Sequence, residues 1–358
     1  GTFHHALADK AAVTGASCRQ CGHRFEVAVE PYIPAFFEGA EKKAQIQIDI
    51  QKISLLNDVN DQFWQALVQC CNAQILSSIN NAQCKAFLLS ESSLFVWHDR
   101  LLILTCGETQ LVNSIEYFIQ HIGKDTIQQL TYQRKNEYFA HAQPSCFSDD
   151  IKKLSQYLNG SIYRFGELDG HHNYLFNYDK DFTANPEDKS YEFLAYQISK
   201  KASALLTTSG ISAKQIRQFL ALETILPDFT IDDFVFKPYG YSLNAIKDDK
   251  YLTIHITPQA NSSYISFESN LNLIAFAPLF IDILQPLSFD IFSFNEFEFS
   301  EKTSRYRKTN YVSKTLVETT LSNGYQINFA NFILPQVTFI EPIVLTLESE
   351  GIVGNKTL

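Results

Sequence analysis

Two stretches of this sequence, residues 93–106 and 242–255, constrain the fold more than any other part of it. Each holds two mostly apolar runs separated by a polar pair, Asp99-Arg100 in the first stretch and Asp248-Asp249 in the second. Short apolar runs that alternate with turn residues are typical of β-hairpins. Neither turn is of the favoured Asn-Gly type, so the strands are specified more firmly than their register. We therefore expect antiparallel sheet around both stretches.

With these turns, each hairpin places a serine opposite a potential proton carrier. Ser93 would pair with Cys106, and Ser242 with His255, so that each pair lies on one face of its sheet. The two pairs are offset by 149 residues (242 − 93 and 255 − 106). This offset predicts an internal duplication in which each half contributes an equivalent hairpin to one site. Turns between apolar strands are common, so spacing alone leaves a chance match equally open.

Aromatic content and local patterns also favour a sheet-rich, folded chain. The 358 residues include 29 Phe and 17 Tyr but only 14 Gly and 11 Pro, which indicates packed strands and argues against disorder. The apolar spacing over 62–73 predicts an amphipathic helix. The runs 75–79 and 85–89, separated by Asn80-Asn81, predict a further hairpin.

Charge and hydropathy exclude several classes of partner. The formal net charge is −10 and the isoelectric point is near 5.4. We therefore expect no nucleic-acid partner and no anionic membrane partner. A cationic small molecule would instead be attracted by the negative electrostatic potential of the protein. The longest apolar stretch, 273–284, is interrupted by Pro278 and Asp282 and is too short to cross a bilayer.

The cysteines indicate a reducing compartment. Seven Cys is an odd count in a long chain, which favours reduced thiols in a cytoplasmic protein over a disulfide framework. Cys18 and Cys21, followed by His23, form only half of a zinc motif, because a closed tetrahedral site needs four ligands. His4 and His5 could supply the missing ligands, but we favour a surface segment without a metal.

A polar run stands immediately before the first hairpin, between apolar strands. It reads Leu89-Ser90-Glu91-Ser92-Ser93, and Thr105-Cys106-Gly107 ends the hairpin. Alone, such a run is typical of a solvated turn. Together, the two segments resemble the self-processing region of the eukaryotic-type S-adenosylmethionine decarboxylases.

Four further motifs occur in the order that this family has. They are Phe36-Phe37-Glu38-Gly39 with Glu41-Lys42, then Tyr132 with Arg134-Lys135-Asn136, then Phe236, Pro238, Gly240-Tyr241-Ser242 and Asn244 with Thr253 to Pro258, and finally Tyr264-x-Ser266-Phe267-Glu268-x-Asn270. The resemblance runs from residue 36 to residue 270 and fades toward residue 332. Five ordered motifs over this span are far more specific than any single one.

The resemblance implies a cofactor that the chain makes from itself. Loss of CO₂ from an α-amino acid needs an electron sink, and a carbonyl that condenses with the substrate amine provides one. By resemblance, the chain cleaves itself between Glu91 and Ser92, and Ser92 becomes a pyruvoyl group. Ser242 and His255 would serve this processing, with His255 as the base. Cys106 would then protonate the substrate carbon after CO₂ leaves, because a thiol can give and retake a proton.

The substrate-binding residues are transferred in the same way. Phe37 and Phe236 are expected to sandwich the adenine, and aromatic faces also favour the sulfonium cation of this substrate. The backbone of Glu91 would contact the edge of the base. After Pro258 the family usually has a Glu that holds the ribose hydroxyls, whereas this chain has Gln259, which keeps the hydrogen bonds but lacks the charge.

Two acidic residues complete the expected catalytic set. The resemblance implies that Glu38 and Glu41 act with Ser92 and Cys106, adding negative charge near the sulfonium group. No metal is expected at this site.

The resemblance also bears on partners. S-adenosylmethionine is the expected substrate, and its decarboxylated product would feed spermidine synthesis; a homodimer of cleaved protomers is left open. Putrescine activation is not expected, because relatives carry a Glu where this chain has Gln45 and a Lys where it has Leu104. We interpret the loss of this Lys together with its acidic partner as the replacement of a buried charge network by apolar packing. Such a replacement can be neutral or stabilising for the fold.

The implied fold is of the α+β class, a four-layer α/β/β/α sandwich of two antiparallel sheets that is internally duplicated. We expect an N-terminal extension over 1–35, a decarboxylase-like domain over 36–340 and a C-terminal tail over 341–358.

Other functions stay open from the sequence. One is a pyruvoyl decarboxylase of another basic amino acid, which Gln259 favours because the ribose contact is specific to a nucleoside. Another is a catalytically silent regulatory paralogue, which the presence of Glu91, Ser92, Cys106 and His255 disfavours. A binding module that uses the Cys18/Cys21 segment rests on the weakest motif.

Overall fold

The structure is a computed structural model that describes residues 13–17, 24–28, 41–136, 143–258, 263–335, 345–348 and 351–354. The chain divides into two compact units, Phe37–Pro335 and a unit made of Gly1–Phe36 with Gln336–Leu358. Within the terminal unit, the described residues form two antiparallel hairpins, β1 (Val13–Ser17) with β2 (Arg24–Ala28), and β19 (Leu345–Glu348) with β20 (Gly351–Gly354).

The first half of the large unit forms an eight-stranded sheet in the order β4-β5-β6-β7-β3-β8-β10-β9, with every neighbouring pair antiparallel. Its strands are β3 (Lys42–Ile48), β4 (Ile75–Asn80), β5 (Cys84–Leu89), β6 (Ser92–Trp97), β7 (Arg100–Thr105), β8 (Ile127–Lys135), β9 (Gly160–Gly166) and β10 (His172–Tyr178). Its helices are α1 (Leu55–Asp58), α2 (Asp61–Cys70), α3 (Leu111–Ile122) and α4 (Phe147–Leu154). The predicted helix over 62–73 and the predicted hairpin of 75–79 with 85–89 are confirmed.

The second half forms another eight-stranded antiparallel sheet, in the order β12-β13-β14-β15-β11-β16-β18-β17. Its strands are β11 (Ser190–Tyr196), β12 (Thr230–Val235), β13 (Tyr241–Lys247), β14 (Lys250–Thr257), β15 (Tyr264–Ser269), β16 (Ser288–Phe294), β17 (Val312–Thr320) and β18 (Gln326–Ile333). Its helices are α5 (Lys200–Leu206), α6 (Ala213–Phe219), α7 (Leu222–Ile225), α8 (Leu273–Leu284) and α9 (Phe299–Thr303). No helix in the described part of the chain is long and apolar enough to cross a membrane.

The central strands are buried on both faces, which explains why their sequences lack an apolar–polar alternation. In β6, Leu94 and Val96 join the apolar cluster that includes residues of α2 and α3, whereas Phe95 and Trp97 pack toward the other sheet. There they meet Tyr251 of β14, whose ring lies 5.0 Å from that of Phe95. Helices thus cover the outer face of each sheet and the inner faces pack together. The predicted four-layer sandwich is confirmed.

The two sheets repeat one strand order, which supports the predicted duplication. In each half, the strand that comes first in the sequence lies beside the last strand of a four-stranded meander. These first strands are β3 and β11, so the two correspond. However, β5, β6 and β7 correspond to β13, β14 and β15, so the hairpins β6–β7 and β13–β14 do not occupy equivalent places. The predicted equivalence of these two hairpins is therefore wrong.

The register of the first hairpin also differs from the prediction, whereas that of the second is confirmed. Ser93 pairs with Leu104, not with Cys106, because the turn is His98-Asp99 and Arg100 already belongs to β7. The carbonyl of Asp99 accepts a hydrogen bond from the backbone N–H of Ile48, the last residue of β3, at 2.8 Å, and the carbonyl of His98 accepts one from Leu55, the first residue of α1, at 2.9 Å. These contacts fix the turn. Ser242 pairs with His255 as predicted.

Candidate active site

The Glu91–Ser92 peptide bond lies where β5 turns into β6. Ser92 is buried, and its backbone pairs with Leu89 of β5 and with Thr105 of β7, so strands hold it on both sides. Its φ angle is +146°, a region that residues with a Cβ atom rarely adopt. Backbone strain of this kind persists only where the surrounding structure enforces it, and it is concentrated at functional sites.

The carbonyl oxygen of Glu91 receives two hydrogen bonds from one residue. The backbone N–H of Cys106 donates to it at 3.0 Å, and the Cys106 thiol donates to it with Sγ at 3.3 Å. Donors fixed on a carbonyl oxygen stabilise the negative charge that develops there when a nucleophile attacks the carbonyl carbon. The end of β7 therefore supplies a preformed oxyanion site for the Glu91–Ser92 bond.

His255 of β14 connects this bond to the opposite sheet. Its Nε2 lies 3.0 Å from Oγ of Ser92, and its Nδ1 lies 3.0 Å from Oγ of Ser242. Burial lowers the pKa of His255 to about 4, which Lys135 reinforces and Glu41 opposes, so the imidazole is neutral at pH 7. A neutral imidazole has one N–H and one lone pair. If Nδ1–H donates to Ser242, the lone pair on Nε2 can accept the proton of Ser92.

The thiol of Cys106 is kept protonated by its surroundings. Burial raises its pKa well above the ordinary value, and the charges of Glu91 and Glu41 raise it further. Burial, with the neighbouring carboxylate of Glu108, also raises the pKa of Glu91 to about 7. Cys106 is therefore a proton donor at neutral pH and not a thiolate nucleophile.

Glu41 is a buried carboxylate fixed from two sides. Lys135 of β8 contacts one of its oxygens, and the hydroxyl of Tyr264 donates to the other at 3.1 Å. Burial alone would raise the pKa of Glu41, but the Lys135 ammonium outweighs this effect and holds the pKa below its ordinary value. Glu41 is thus an oriented anion beside the Ser92–His255 pair.

A network of buried charges extends from Glu41 between the sheets. Lys43 of β3 lies 2.8 Å from Glu192 and 2.5 Å from Glu268 of the second sheet, and Lys135 lies 2.7 Å from Glu192. Lys43 pairs with Leu104 across β3 and β7, so both face the second sheet. Leu104 lies in an apolar cluster with Phe95 and Tyr251, and its interpretation as the replacement of a buried charge stays a prediction. A buried charge network is nevertheless present beside it, because Lys43 supplies a cation from the neighbouring strand.

The structure brings together Glu41, Glu91, Ser92, Cys106, Ser242 and His255 among the predicted site residues. Phe236 is half-buried. It follows Phe234 by two residues, and Phe234 pairs with Ser242, so Phe236 lies at the same end of the sheet as these site residues. Phe37, Glu38 and Gln259 lie outside the described residues, as do the histidines and cysteines of the N-terminal half-motif.

Sequence reasoning missed the roles of Lys43, Asn244 and Thr253. Lys43 lies within β3, and it is fully buried. A lysine in the middle of a predicted buried strand signals a paired charge, but nothing local identifies its partners. Asn244 and Thr253 lie within motifs of the resemblance. The hydroxyl of Thr253 contacts Nε2 of His255, and Oδ1 of Asn244 accepts a hydrogen bond from the hydroxyl of Ser93.

Comparisons with known proteins identify the family of this chain. Residues 34–333 match the sequence profile of the adenosylmethionine decarboxylase family. The S-adenosylmethionine decarboxylase proenzyme of Dictyostelium discoideum is 32% identical over 271 residues, which cover 69% of this chain and 71% of that protein. The Xenopus laevis proenzyme is 29% identical over 276 residues, covering 71% of this chain and 82% of its own length.

A solved structure of similar fold comes from Trypanosoma brucei. The AdoMetDC-delta26 monomer superimposes with a TM-score of 0.50 at 22% identity, covering 68% of this chain and 99% of the other. The sandwich of two antiparallel sheets with outer helices thus occurs in a known class of α+β enzyme. The chain belongs to the adenosylmethionine decarboxylase family, and the predicted family is confirmed.

Replacing Lys43 tests whether the buried charges are mutually compensated. Lys43→Met should lower the free energy of unfolding by about 3–5 kcal/mol, because it leaves buried carboxylates without their cation. Those carboxylates then have raised pKa values in the folded state, so the loss should be smaller at pH 5, where they bind protons, than at pH 8. Urea denaturation at the two pH values measures both effects.

Lys85→Met is the matched control, because Lys85 pairs with the exposed Asp61 at the surface of the same sheet. It should cost less than about 1 kcal/mol. Equal losses for the two variants would contradict the buried network.

Proposed function

We propose that this chain cleaves its own Glu91–Ser92 bond, converts Ser92 into a pyruvoyl group, and uses that group to decarboxylate S-adenosylmethionine in the cytoplasm for spermidine synthesis. The contact between Oγ of Ser92 and Nε2 of His255, beside a Glu91 carbonyl already bonded by Cys106, carries the proposal. The relatives from Dictyostelium discoideum and Xenopus laevis are named proenzymes, and self-processing would explain that word chemically.

Processing begins at the Ser92 hydroxyl. Its oxygen attacks the carbonyl carbon of Glu91, its proton passes to Nε2 of His255, and the carbonyl oxygen gains negative charge against the two donors of Cys106. The C–N bond then breaks, the Ser92 nitrogen takes the proton, and an ester joins Glu91 to Oγ. Losing one such oxyanion donor typically costs about 10²–10³ in rate. The positive φ of Ser92 is relieved as the peptide bond opens.

A second proton transfer completes the processing. His255, neutral again, removes the proton from Cα of Ser92, the ester C–O bond breaks, and Glu91 leaves as a new carboxyl terminus. The remaining dehydroalanine takes up water and releases ammonia, which leaves the pyruvoyl carbonyl at residue 92. The low pKa of His255 suits this step, because the base must be unprotonated when it acts.

The side chains around residue 92 suit the second reaction as well. A pyruvoyl carbonyl supplies an electron sink for loss of CO₂ from an amino acid. Cys106 is a protonated thiol within 3.3 Å of the Glu91 carbonyl oxygen, so it lies beside residue 92 and can protonate the substrate carbon. Glu41 offers a fixed negative charge to the cationic substrate.

The first test is the intact mass of the denatured protein. We expect two chains, 1–91 and 92–358, the second blocked by a pyruvoyl group, whereas Ser92→Ala should stay one inactive chain. His255→Ala should form the ester only slowly and then stall there, because no base remains to remove the proton from Cα; hydroxylamine would cleave this ester. A single uncleaved mass in an active preparation, or a free serine amine at residue 92, would end the proposal.

Replacing the thiol separates the two reactions. Cys106→Ala keeps the backbone N–H that contacts the Glu91 carbonyl, so the chain should still cleave, more slowly. Turnover of the cleaved enzyme should fall by at least about 10², the usual contribution of a general acid, and adducts protonated at the wrong carbon should accumulate in mass spectra. Full activity would assign protonation to another acid.

Substrate choice distinguishes the alternatives. Release of labelled CO₂ should be fast from S-adenosylmethionine and negligible from ornithine, lysine or arginine. Equal or better turnover of any of the free amino acids would favour a pyruvoyl decarboxylase of another class. Gln259→Glu should tighten S-adenosylmethionine binding if this residue holds the ribose.

We also expect that putrescine does not stimulate the enzyme. The structure gives a reason other than the one that the sequence suggested. Lys43 and Lys135 already compensate the carboxylates between the sheets. The adjoining cleft, lined by Gln45, Asp188 and Tyr325 among others, offers one carboxylate whose pKa burial raises, and one carboxylate cannot compensate a dication. Initial rates and processing rates should be equal with and without millimolar putrescine at constant ionic strength. A severalfold rise in either rate would contradict this.

A further inference from the structure

Three hydroxyl groups surround one nitrogen of His255, and only one of them belongs to the residue that should react. Nε2 lies 3.0 Å from Oγ of Ser92, 2.9 Å from Oγ1 of Thr253 and 3.4 Å from Oγ of Ser93. A neutral imidazole offers a single lone pair there. A hydroxyl proton from Thr253 or Ser93 would therefore occupy the lone pair that Ser92 needs.

Asn244 of β13 gives these two hydroxyl protons another acceptor. Its Oδ1 lies 2.6 Å from Oγ of Ser93 and 3.1 Å from Oγ1 of Thr253, and both hydroxyls can donate to it because an amide oxygen has two lone pairs. Asn244 pairs with Thr253 across β13 and β14, so the sheet register fixes this geometry. Once Thr253 donates to Asn244, it has no proton left for His255.

The rest of the Asn244 side chain argues against a purely structural role. The residue is fully buried, yet its Nδ2 makes no hydrogen bond to the part of the chain that the structure describes. A buried amide with an unused donor is a cost to folding, and an apolar residue of similar size would avoid it. Stability therefore does not explain an asparagine at this position.

We propose that Asn244 is a positioning residue for self-processing, which keeps the Nε2 lone pair of His255 open to Ser92 by accepting the protons of Thr253 and Ser93. The inference rests on the proposed role of His255 as the processing base. It adds a residue that acts only through His255: its Oδ1 contacts the hydroxyls of Ser93 and Thr253, and not the Glu91 carbonyl or the Ser92 hydroxyl.

The experiment follows cleavage of newly made full-length chain in a cell-free translation reaction, using pulse labelling and hydroxylamine to count the ester. Asn244→Leu removes the acceptor, so Thr253 should donate to His255 and processing should slow by at least about tenfold, within the range expected for an impaired general base. The double variant Asn244→Leu/Thr253→Val removes the nearer of the two competing hydroxyls and should recover most of the parent rate, because the remaining one, Ser93, lies 3.4 Å from Nε2 and competes less well than Thr253 at 2.9 Å. Thr253→Val alone should process at about the parent rate.

A packing role predicts the opposite pattern. If Asn244 only filled space, adding Thr253→Val to Asn244→Leu would bring no recovery, and this result would overturn the inference. Acceleration by Thr253→Val alone would also overturn it, because the amide would then present its NH₂ group and force Thr253 to donate to His255. Urea midpoints show whether leucine is accommodated, and Asn244→Ala with and without Thr253→Val repeats the comparison if it is not.

Two controls separate this inference from the proposed function. A parent chain that stays uncleaved would remove the proposed function, and full processing with His255→Ala would remove the proposed role of His255; either result removes the role of Asn244 as well. A parent that cleaves and stalls with His255→Ala, while Asn244→Leu cleaves at the parent rate, would overturn the positioning role alone.

Discussion

Oγ of Ser92 and Nε2 of His255 are 3.0 Å apart, and they belong to different sheets. Neither half of the chain holds both the strained peptide bond and its base, so the site exists only when the inner faces of the sandwich pack together. The apolar contacts of Phe95 and Trp97 with Tyr251 hold the same two strands, β6 and β14, against each other. Core packing and site geometry are therefore one constraint in this fold.

That constraint has an electrostatic cost, because it buries carboxylates beside a base that must stay neutral. Glu41, Glu192 and Glu268 are held between the sheets with Lys43 and Lys135. Buried ion pairs seldom add much net stability, but losing one partner is expensive. The network thus fixes Glu41 as an anion, while burial holds the pKa of His255 low enough for it to accept a proton.

Much of this site could be predicted from the sequence, because ordered motifs and hairpin patterns are local signals. The pairing of Ser242 with His255 followed from the turn alone. The first hairpin slipped by two residues because the backbone N–H groups of Ile48 and Leu55 donate to the carbonyls of Asp99 and His98, tertiary contacts that no local pattern reports. A slip of two keeps every side chain on the same face, so the predicted site survived the error. The partners of Lys43 lie far along the chain, so its network was missed.

The crossing of β6 and β14 gives the sandwich two unlike ends. Ser92 begins β6 and meets His255 near the end of β14, whereas Trp97 ends β6 and meets Tyr251 near the start of β14, with the rings 5.2 Å apart. If the two halves were identical and related by a two-fold axis, the Ser92–His255 contact and the Trp97–Tyr251 contact would be the same contact made twice, because such an axis repeats every contact. Here the contact of Ser92 with His255 is polar and reactive, whereas the contact of Trp97 with Tyr251 is made by two aromatic rings. The duplicated architecture therefore repeats the crossing of its strands without repeating the chemistry, because indole and phenol rings occupy the place that corresponds to the reactive contact.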